Sequence, residues 1–176
     1  DDPALADYTT DAYTNVIGGL IQSLDPAVIL IGASVQGKDL CARLAARLDA
    51  GLAMDCTVIK LDSGILTCTR PMFGGKIFAD VEIEGFPQLI AIRPNVMDIV
   101  ETAKDCVVEK VDVNVGEVKT TVVEKNMETG DKIELTEADI IVSGGRGTSG
   151  DFAAIEQLAA AFGGAVGASR SAVDEG

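Results

Sequence analysis

The chain has 176 residues, of which 28 are acidic, 14 are basic and none is histidine, so its formal net charge is −14. This acidity excludes nucleic acid and anionic membranes as main partners, and the lack of histidine excludes Ser-His-Asp catalysis, Cys-His catalysis and histidine-ligated metals. No C-x-x-C pair and no apolar run of bilayer length occurs. We therefore expect a cytoplasmic protein with no catalytic residues, no metal, no membrane insertion and four buried thiols.

The first third of the chain has the pattern of an α/β domain. Apolar residues recur at helical spacing over 13–24, after the potential capping residues 9–11. The wholly apolar run 27–31 predicts a buried parallel strand. A glycine loop over 32–37 leads to a second predicted helix at 38–48. This order of elements predicts a three-layer domain with a mainly parallel sheet.

The middle of the chain predicts short strands between glycine or proline turns, at 57–61, 65–70, 76–83 and 89–92. Valine then alternates with charged or small polar residues over 107–113 and 118–123, which predicts two half-exposed strands. The composition becomes polar over 126–136, with a turn at 128–131. We place a domain boundary there, between residues 1–135 and residues 136–176.

The second domain begins with a strand-helix-strand pattern. A strand is predicted at 139–142, a glycine-rich loop at 143–150, a helix at 151–162 and the next strand at 165–167. This is the opening of a Rossmann-like domain. One such unit does not form a closed core, so we expect the chain to be a fragment.

The first glycine loop matches the G-x-x-x-x-G-K pattern of a phosphate-binding P-loop, from Gly32 to Lys38. Asp39, however, stands where Ser or Thr would bind magnesium, and its carboxylate would repel phosphate. A tight strand-to-helix turn explains Gly32 and Gly37 equally well. A P-loop nucleotidase and a structural turn are therefore both open interpretations.

The second glycine loop, 145–150, reads G-x-G-x-x-G after a strand and before a helix, which is the context of a dinucleotide site. The acidic residue expected near the end of the next strand is missing, and Ser169 and Arg170 stand there instead. Arg146 inside the loop is also unlike the nicotinamide fingerprint. From the residues alone, a nucleotide or flavin phosphate site and a plain turn are equally open.

Two blocks around one helix, 143–147 and 166–174, resemble the electron transfer flavoprotein alpha subunit. Segments between 32 and 56, and at 70–75 and 92–94, also fit its pattern. The resemblance extends over nearly the whole chain. It implies an electron carrier rather than an enzyme, with the opening part of an FAD-binding domain from residue 136.

The resemblance also implies partners. The first domain would pack on a beta subunit, and the second would carry most of the FAD site. Such a carrier takes electrons from flavin dehydrogenases, such as acyl-CoA dehydrogenases, and passes them to a membrane quinone oxidoreductase. The family's opening strand and its later FAD segments are absent from the sequence, so we expect only the entry portion of the FAD site here.

By the same resemblance, Arg146 lies beside the flavin ring, with Gly145 and Gly147 in the same loop. Ser169 and Arg170 contact the flavin end of FAD. A cation beside the flavin stabilises negative charge on its reduced form and raises the potential of the first electron.

Other interpretations stay open. A FixB-type or electron-bifurcating subunit of the same family would share these motifs, and a non-flavin assembly module would use the first domain only to hold a partner. Arg146 could brace the domain junction, and Arg170 could pair with Asp174 at helical spacing. Arg70 and Arg93, each before a proline, are expected to brace loops rather than carry chemistry.

Overall fold

The computed structural model describes residues 2–126, 133 and 135–174. Residues 1–125 and 126–176 form two compact units. The boundary placed between residues 135 and 136 stays a prediction, and the turn predicted at 128–131 lies outside the described residues.

In its described residues, the first unit combines two α-helices and a 3₁₀ turn (Pro3–Leu5) with a parallel and an antiparallel sheet. In chain order its elements are α1 (Thr10–Leu24), β1 (Val28–Gly32), α2 (Val35–Leu48), β2 (Leu52–Cys56), β3 (Val58–Asp62), β4 (Ile65–Met72), β5 (Ile77–Glu82) and β6 (Gln88–Ile92). The strand order is β1-β6-β2 in the parallel sheet and β3-β4-β5 in the antiparallel sheet. The predicted α/β class with a parallel sheet is confirmed.

Local hydrogen bonds define the end of α1 and the start of α2. Asp25 takes left-handed backbone angles (φ 45°) and donates its N–H to the Ile21 carbonyl, which ends α1. α2 begins at Val35, three residues before its predicted start, because the Ser34 hydroxyl accepts a hydrogen bond from the Gly37 amide (3.1 Å). Val35 is apolar but exposed, so it lies outside the buried face of α2 and the apolar spacing of that face does not indicate it.

The core of the first unit lies on both faces of the parallel sheet. The buried residues on the helix side are Ile21, Leu40, Leu44 and Leu89. Those on the side of the antiparallel sheet are Ala53, Cys56, Cys68 and Ile90. Leu44 and Leu89 are fully buried, and truncating such a leucine to alanine costs about 2–5 kcal/mol. Helices, parallel sheet and antiparallel sheet therefore form three layers.

Two predictions about the parallel sheet are corrected. β1 is a strand as predicted, but it lies at an edge and leaves Val28 and Leu30 exposed, so it is not fully buried. β2 was not predicted at all, because Ala53 and Asp55 are poor strand formers in a run of only five residues. Its strand conformation depends on long-range pairing with β6, which local sequence does not reveal.

The strands predicted at 107–113 and 118–123 are wrong. Neither segment has regular secondary structure, and Val107 and Val123 are 82% and 95% exposed. Hydrogen bonds from helix side chains hold part of this segment: Asn15 Nδ2 donates to the Val115 carbonyl (2.7 Å), and Asp11 Oδ2 accepts from the Lys119 amide (3.1 Å). Alternation indicates a strand only where a partner strand is available.

The second unit is a strand-helix-strand motif followed by a short helix. Its elements are β7 (Ile141–Gly144), a 3₁₀ turn (Arg146–Thr148), α3 (Ala153–Phe162), β8 (Ala165–Ala168) and α4 (Arg170–Asp174). β7 and β8 are parallel neighbours. Gly163, with φ 63°, ends α3 as predicted. The predicted order is confirmed, although β7 begins two residues later than expected.

Candidate functional site

The first glycine loop does not have the shape of a phosphate-binding loop. A P-loop wraps its amides around phosphate before the helix begins, whereas α2 here already includes residues 35–38. The Gly37 and Lys38 amides are occupied by the side chain and the carbonyl of Ser34. A Cβ on Gly37 would also overlap the Gly32 carbonyl oxygen. The geometry therefore favours the structural turn.

Asp39, in α2, connects that helix to Tyr8, which precedes α1, and to Thr10, the first residue of α1. It accepts hydrogen bonds from the Tyr8 hydroxyl (2.7 Å) and the Thr10 hydroxyl, and these lower the pKa of its carboxyl, the Thr10 bond most. Burial, together with the Asp39 hydrogen bond, raises the pKa of Tyr8 to about 12. Asp39 is thus engaged within the fold.

Two cations meet one carboxylate at the carboxyl end of the parallel sheet. Arg93 donates to both oxygens of Asp55 (Nε to Oδ1 3.2 Å, Nη2 to Oδ2 2.7 Å), and Lys38 Nζ lies 3.6 Å from Asp55 Oδ1. The Arg93 hydrogen bond holds the pKa of the Asp55 carboxyl below its ordinary value, and the same bond raises the pKa of Arg93. Arg93 therefore braces a loop end, as expected.

The second glycine loop forms a 3₁₀ turn directly after β7. The amide and the hydroxyl of Thr148 both donate to the Gly145 carbonyl (3.0 and 2.9 Å), which closes the turn. Arg146 is the exposed first residue of this turn. No atom beyond the chain neighbours lies within 4 Å of where a Cβ on Gly147 would stand. The backbone is therefore accessible to a ligand at Gly147.

Parallel pairing of β7 and β8 brings the two sequence blocks together. The Ser169 amide donates to the Gly144 carbonyl (2.9 Å), and a Cβ on Gly145 would lie 3.4 Å from Ser169 Oγ. Arg146 and Arg170 are the next residues along each chain segment. All of them stand at the carboxyl edge of the sheet, where open α/β sheets bind their ligands.

The charges at this edge suit an electron-rich cofactor. In the described part of the chain, no carboxylate lies within 4 Å of the Arg146 guanidinium, and Arg170 has only Asp174, at 3.6 Å. The Arg170–Asp174 pair is the one expected from helical spacing; both side chains are largely exposed, so the pair is weak. The oxygen-rich parts of FAD fit this edge, because it offers two guanidinium groups, the Ser169 hydroxyl and an open backbone.

Sequence reasoning missed three residues that shape this edge. Gly144 leaves little room for a side chain, since a Cβ there would crowd the side-chain ends of Ile155 and Phe152 (2.8 Å from Phe152 Cε1). Thr148 closes the 3₁₀ turn, and Asp151 Oδ1 accepts the Ala153 amide (3.0 Å) at the start of α3. The sequence does indicate the latter two: Thr148 follows a glycine by three residues, and Asp151 is a capping residue type at the start of a predicted helix.

Across 2–126, 133 and 135–174, the structure offers no group of three or more acidic, cysteine or histidine side chains suited to a metal ion. In the same ranges no helix has both the length and the apolar character that crossing a membrane requires. Three of the four cysteines are buried as expected, but Cys106 is exposed.

Two family models match the chain, one over each part. Residues 1–115 match the model described as the electron transfer flavoprotein domain, and residues 134–176 match the electron transfer flavoprotein FAD-binding domain.

Individual relatives give the same result. The chain is 42% identical over 184 residues to the electron transfer flavoprotein subunit alpha of Thermoanaerobacterium thermosaccharolyticum and 41% identical over 184 residues to Protein FixB of Clostridium saccharobutylicum. It is 38% identical over 212 residues to the acryloyl-CoA reductase electron transfer subunit beta of Anaerotignum propionicum. These alignments include 100% of the chain but 56%, 55% and 58% of the relatives, so the chain spans about half their length. The chain belongs to the electron transfer flavoprotein alpha-subunit family, and its second unit is part of that family's FAD-binding domain.

Proposed function

We propose that this chain is part of the alpha subunit of an electron-transferring flavoprotein, an electron carrier that works in the cytoplasm. It binds FAD jointly with a beta subunit, which packs on the first domain. The holoprotein takes electrons from flavin dehydrogenases, such as acyl-CoA dehydrogenases, and delivers them to a membrane quinone oxidoreductase. The observation that supports this proposal is the hydrogen bond from the Ser169 amide to the Gly144 carbonyl (2.9 Å), which places the segments that carry Arg146 and Arg170 side by side at the carboxyl edge.

Each residue at this edge has a role in the proposal. FAD supplies the redox chemistry when it is bound. Arg146 and Arg170 hold oxygen atoms of the cofactor through charge-assisted hydrogen bonds, and their positive charge favours an electron-rich reduced cofactor. Ser169 offers a hydroxyl, and Gly145 and Gly147 let the backbone approach the cofactor closely.

The test is reconstitution of the complex of this subunit and its beta subunit with FAD. Arg146→Gln and Arg170→Gln each remove one charge, and Arg43→Gln is the control, because Arg43 pairs with Asp11 in the first unit (3.3 Å). We expect each site variant to weaken FAD binding about tenfold or more and to lower the flavin midpoint potential. The control is expected to match the unmodified complex in both measurements.

Two results would contradict the proposal. If the unmodified complex takes up no FAD, as judged by the visible flavin absorption bands, the subunit is an assembly module. If FAD binds but Arg146→Gln and Arg170→Gln leave both its affinity and its potential unchanged, the cofactor is held elsewhere.

A second candidate within the family is a FixB-type or electron-bifurcating subunit. The similarity to Protein FixB and to an acryloyl-CoA reductase electron transfer subunit supports it, since both match the chain nearly as well as the alpha subunit does. Reduction of the FAD-loaded complex by NADH, but not by a reduced acyl-CoA dehydrogenase, would favour this candidate. The reverse result would favour the simple carrier.

A further inference from the structure

A cleft of about 670 Å³ lies within the first unit, between α1, α2 and the segment 111–119. Its charged lining residues are Asp11, Arg43, Arg47, Asp112, Glu117 and Lys119. The side chains of Val16, Leu20 and Val111 give the same cleft an apolar part. Its volume falls in the range of small-molecule sites, which is roughly 300–1,000 Å³.

Most of the charges that line this cleft have no partner. One ion pair forms, in which Arg43 Nη2 lies 3.3 Å from Asp11 Oδ1. Among the described residues, no opposite charge lies within 4 Å of the other four, which are Arg47, Asp112, Glu117 and Lys119. Two cations and two carboxylates therefore line one cleft without pairing with each other. A ligand that carries charges of both signs can pair with them.

Asn15 holds one cation and one acidic residue beside this cleft. Its Oδ1 accepts a hydrogen bond from Arg47 Nη1, and its Nδ2 donates to the carbonyls of Val115 (2.7 Å) and Glu117 (3.4 Å). The Arg47 side chain also packs on Gly18, where a Cβ would lie 3.4 Å from Arg47 Cδ. Arg47 and Glu117 are therefore both positioned by one asparagine amide, and both line the cleft.

We propose that this cleft binds a small zwitterion with a carboxylate, an ammonium group and an apolar side chain, the class of free α-amino acids. The carboxylate accepts hydrogen bonds from Arg47, and the ammonium group pairs with Glu117. The apolar side chain contacts Val16 and Leu20. A ligand without net charge also suits a chain whose net charge is −14, because such a chain repels free anions.

The test uses the complex of this subunit and its beta subunit, loaded with FAD. None of the cleft residues belongs to the proposed flavin site, so the result for the cleft is independent of the flavin proposal. Three probes of matched carbon skeleton separate the two charges: L-norleucine carries both, hexanoate lacks the ammonium group and pentylamine lacks the carboxylate. Saturation-transfer ¹H NMR at constant ionic strength gives the dissociation constants. We expect norleucine to bind at least fivefold more tightly than either of the other probes.

Variants show which residue recognises which charge. Arg47→Gln should bind norleucine no better than pentylamine, because the carboxylate loses its partner. Glu117→Gln should bind norleucine no better than hexanoate, because the ammonium group loses its partner. Lys110→Gln and Glu109→Gln are the controls, since each removes one exposed charge of the neighbouring segment outside the cleft lining. Both controls are expected to leave all three dissociation constants unchanged.

Two results would overturn the proposal. The first is that norleucine does not bind, or binds no more tightly than hexanoate or pentylamine. The second is that Arg47→Gln and Glu117→Gln both keep the full preference for norleucine. Glu117→Gln keeps the test decisive should Arg47→Gln fail to fold, because the Glu117 side chain is exposed and makes no hydrogen bond among the described residues, whereas Arg47 is bonded to Asn15.

Discussion

The two glycines of the first loop have different tolerances for a side chain, and this difference can be measured. In Gly37→Ala the new Cβ would overlap the Gly32 carbonyl oxygen, and because that atom is backbone, no change of rotamer relieves the overlap. Overpacking of this kind costs about 1–3 kcal/mol, and displacing the amide from Ser34 adds about 1 kcal/mol, against a gain of at most about 1 kcal/mol in helix propensity. We expect a net loss of about 2 kcal/mol.

The matched control is Gly32→Ala, at the other end of the same loop. No non-neighbouring atom lies within 4 Å of its Cβ position, and its φ is outside the left-handed region. Alanine should therefore stabilise the chain by about 0.4–1 kcal/mol through the unfolded state. Urea denaturation of the full chain, followed by circular dichroism, gives both free energies of unfolding. Equal stability of the two variants would refute the steric explanation of this loop.

Three further changes have defined outcomes. Asp55→Asn removes the negative charge and one of the two oxygens that accept from Arg93, and should cost about 1–2 kcal/mol at neutral pH. Folding lowers the pKa of the Asp55 carboxyl from 3.8, chiefly through the Arg93 hydrogen bond. The charge contribution is therefore fully present above about pH 4 and is lost progressively as the pH falls through the lowered pKa, so the difference in unfolding free energy between the two proteins should shrink over that acidic range. Ser34→Ala removes the cap of α2 and should cost about 1 kcal/mol in urea denaturation. A thiol-disulfide reagent at mild alkaline pH should titrate one cysteine rapidly, and Cys106→Ser should remove that phase. The other three thiols are buried, and burial raises the pKa of Cys41 to about 11 and of Cys56 to about 12, so a second rapid phase would contradict the fold.

Helices were easier to predict from this sequence than strands, because their determinants are local. The periodicity of residues 13–24 and the glycine at 163 are sufficient for α1 and for the end of α3. The predictions for β2 and for residues 107–123 were wrong in opposite ways. β2 has weak strand propensity but pairs with β6. Residues 107–123 have a strong strand pattern but no partner strand among the described residues. Strand formation depends on pairing across long sequence distances, which one sequence does not display.

The candidate site was predictable only in part, because it too depends on pairing between segments that are distant in sequence. Resemblance supplied Arg146 and Arg170, and the parallel pairing of β7 and β8 then accounts for how residues so far apart in sequence meet at one edge. Arg70 was expected only to brace a loop. Its enclosed and unpaired Nε is a property of packing between two sheets, and no local pattern indicates it.

The two glycine loops look alike in sequence, and the difference between them lies in where the next helix begins. Between β1 and α2 stand only Ala33 and Ser34, so the helix starts at once and its first amides are used by the Ser34 cap. Between β7 and α3 stand residues 145–152, and a 3₁₀ turn there leaves Gly147 open before Asp151 caps the helix. A ligand needs backbone that is exposed at the carboxyl edge and not already bonded. By that criterion the second loop offers its backbone to a cofactor, whereas the first loop does not, because its Gly37 and Lys38 amides are already bonded.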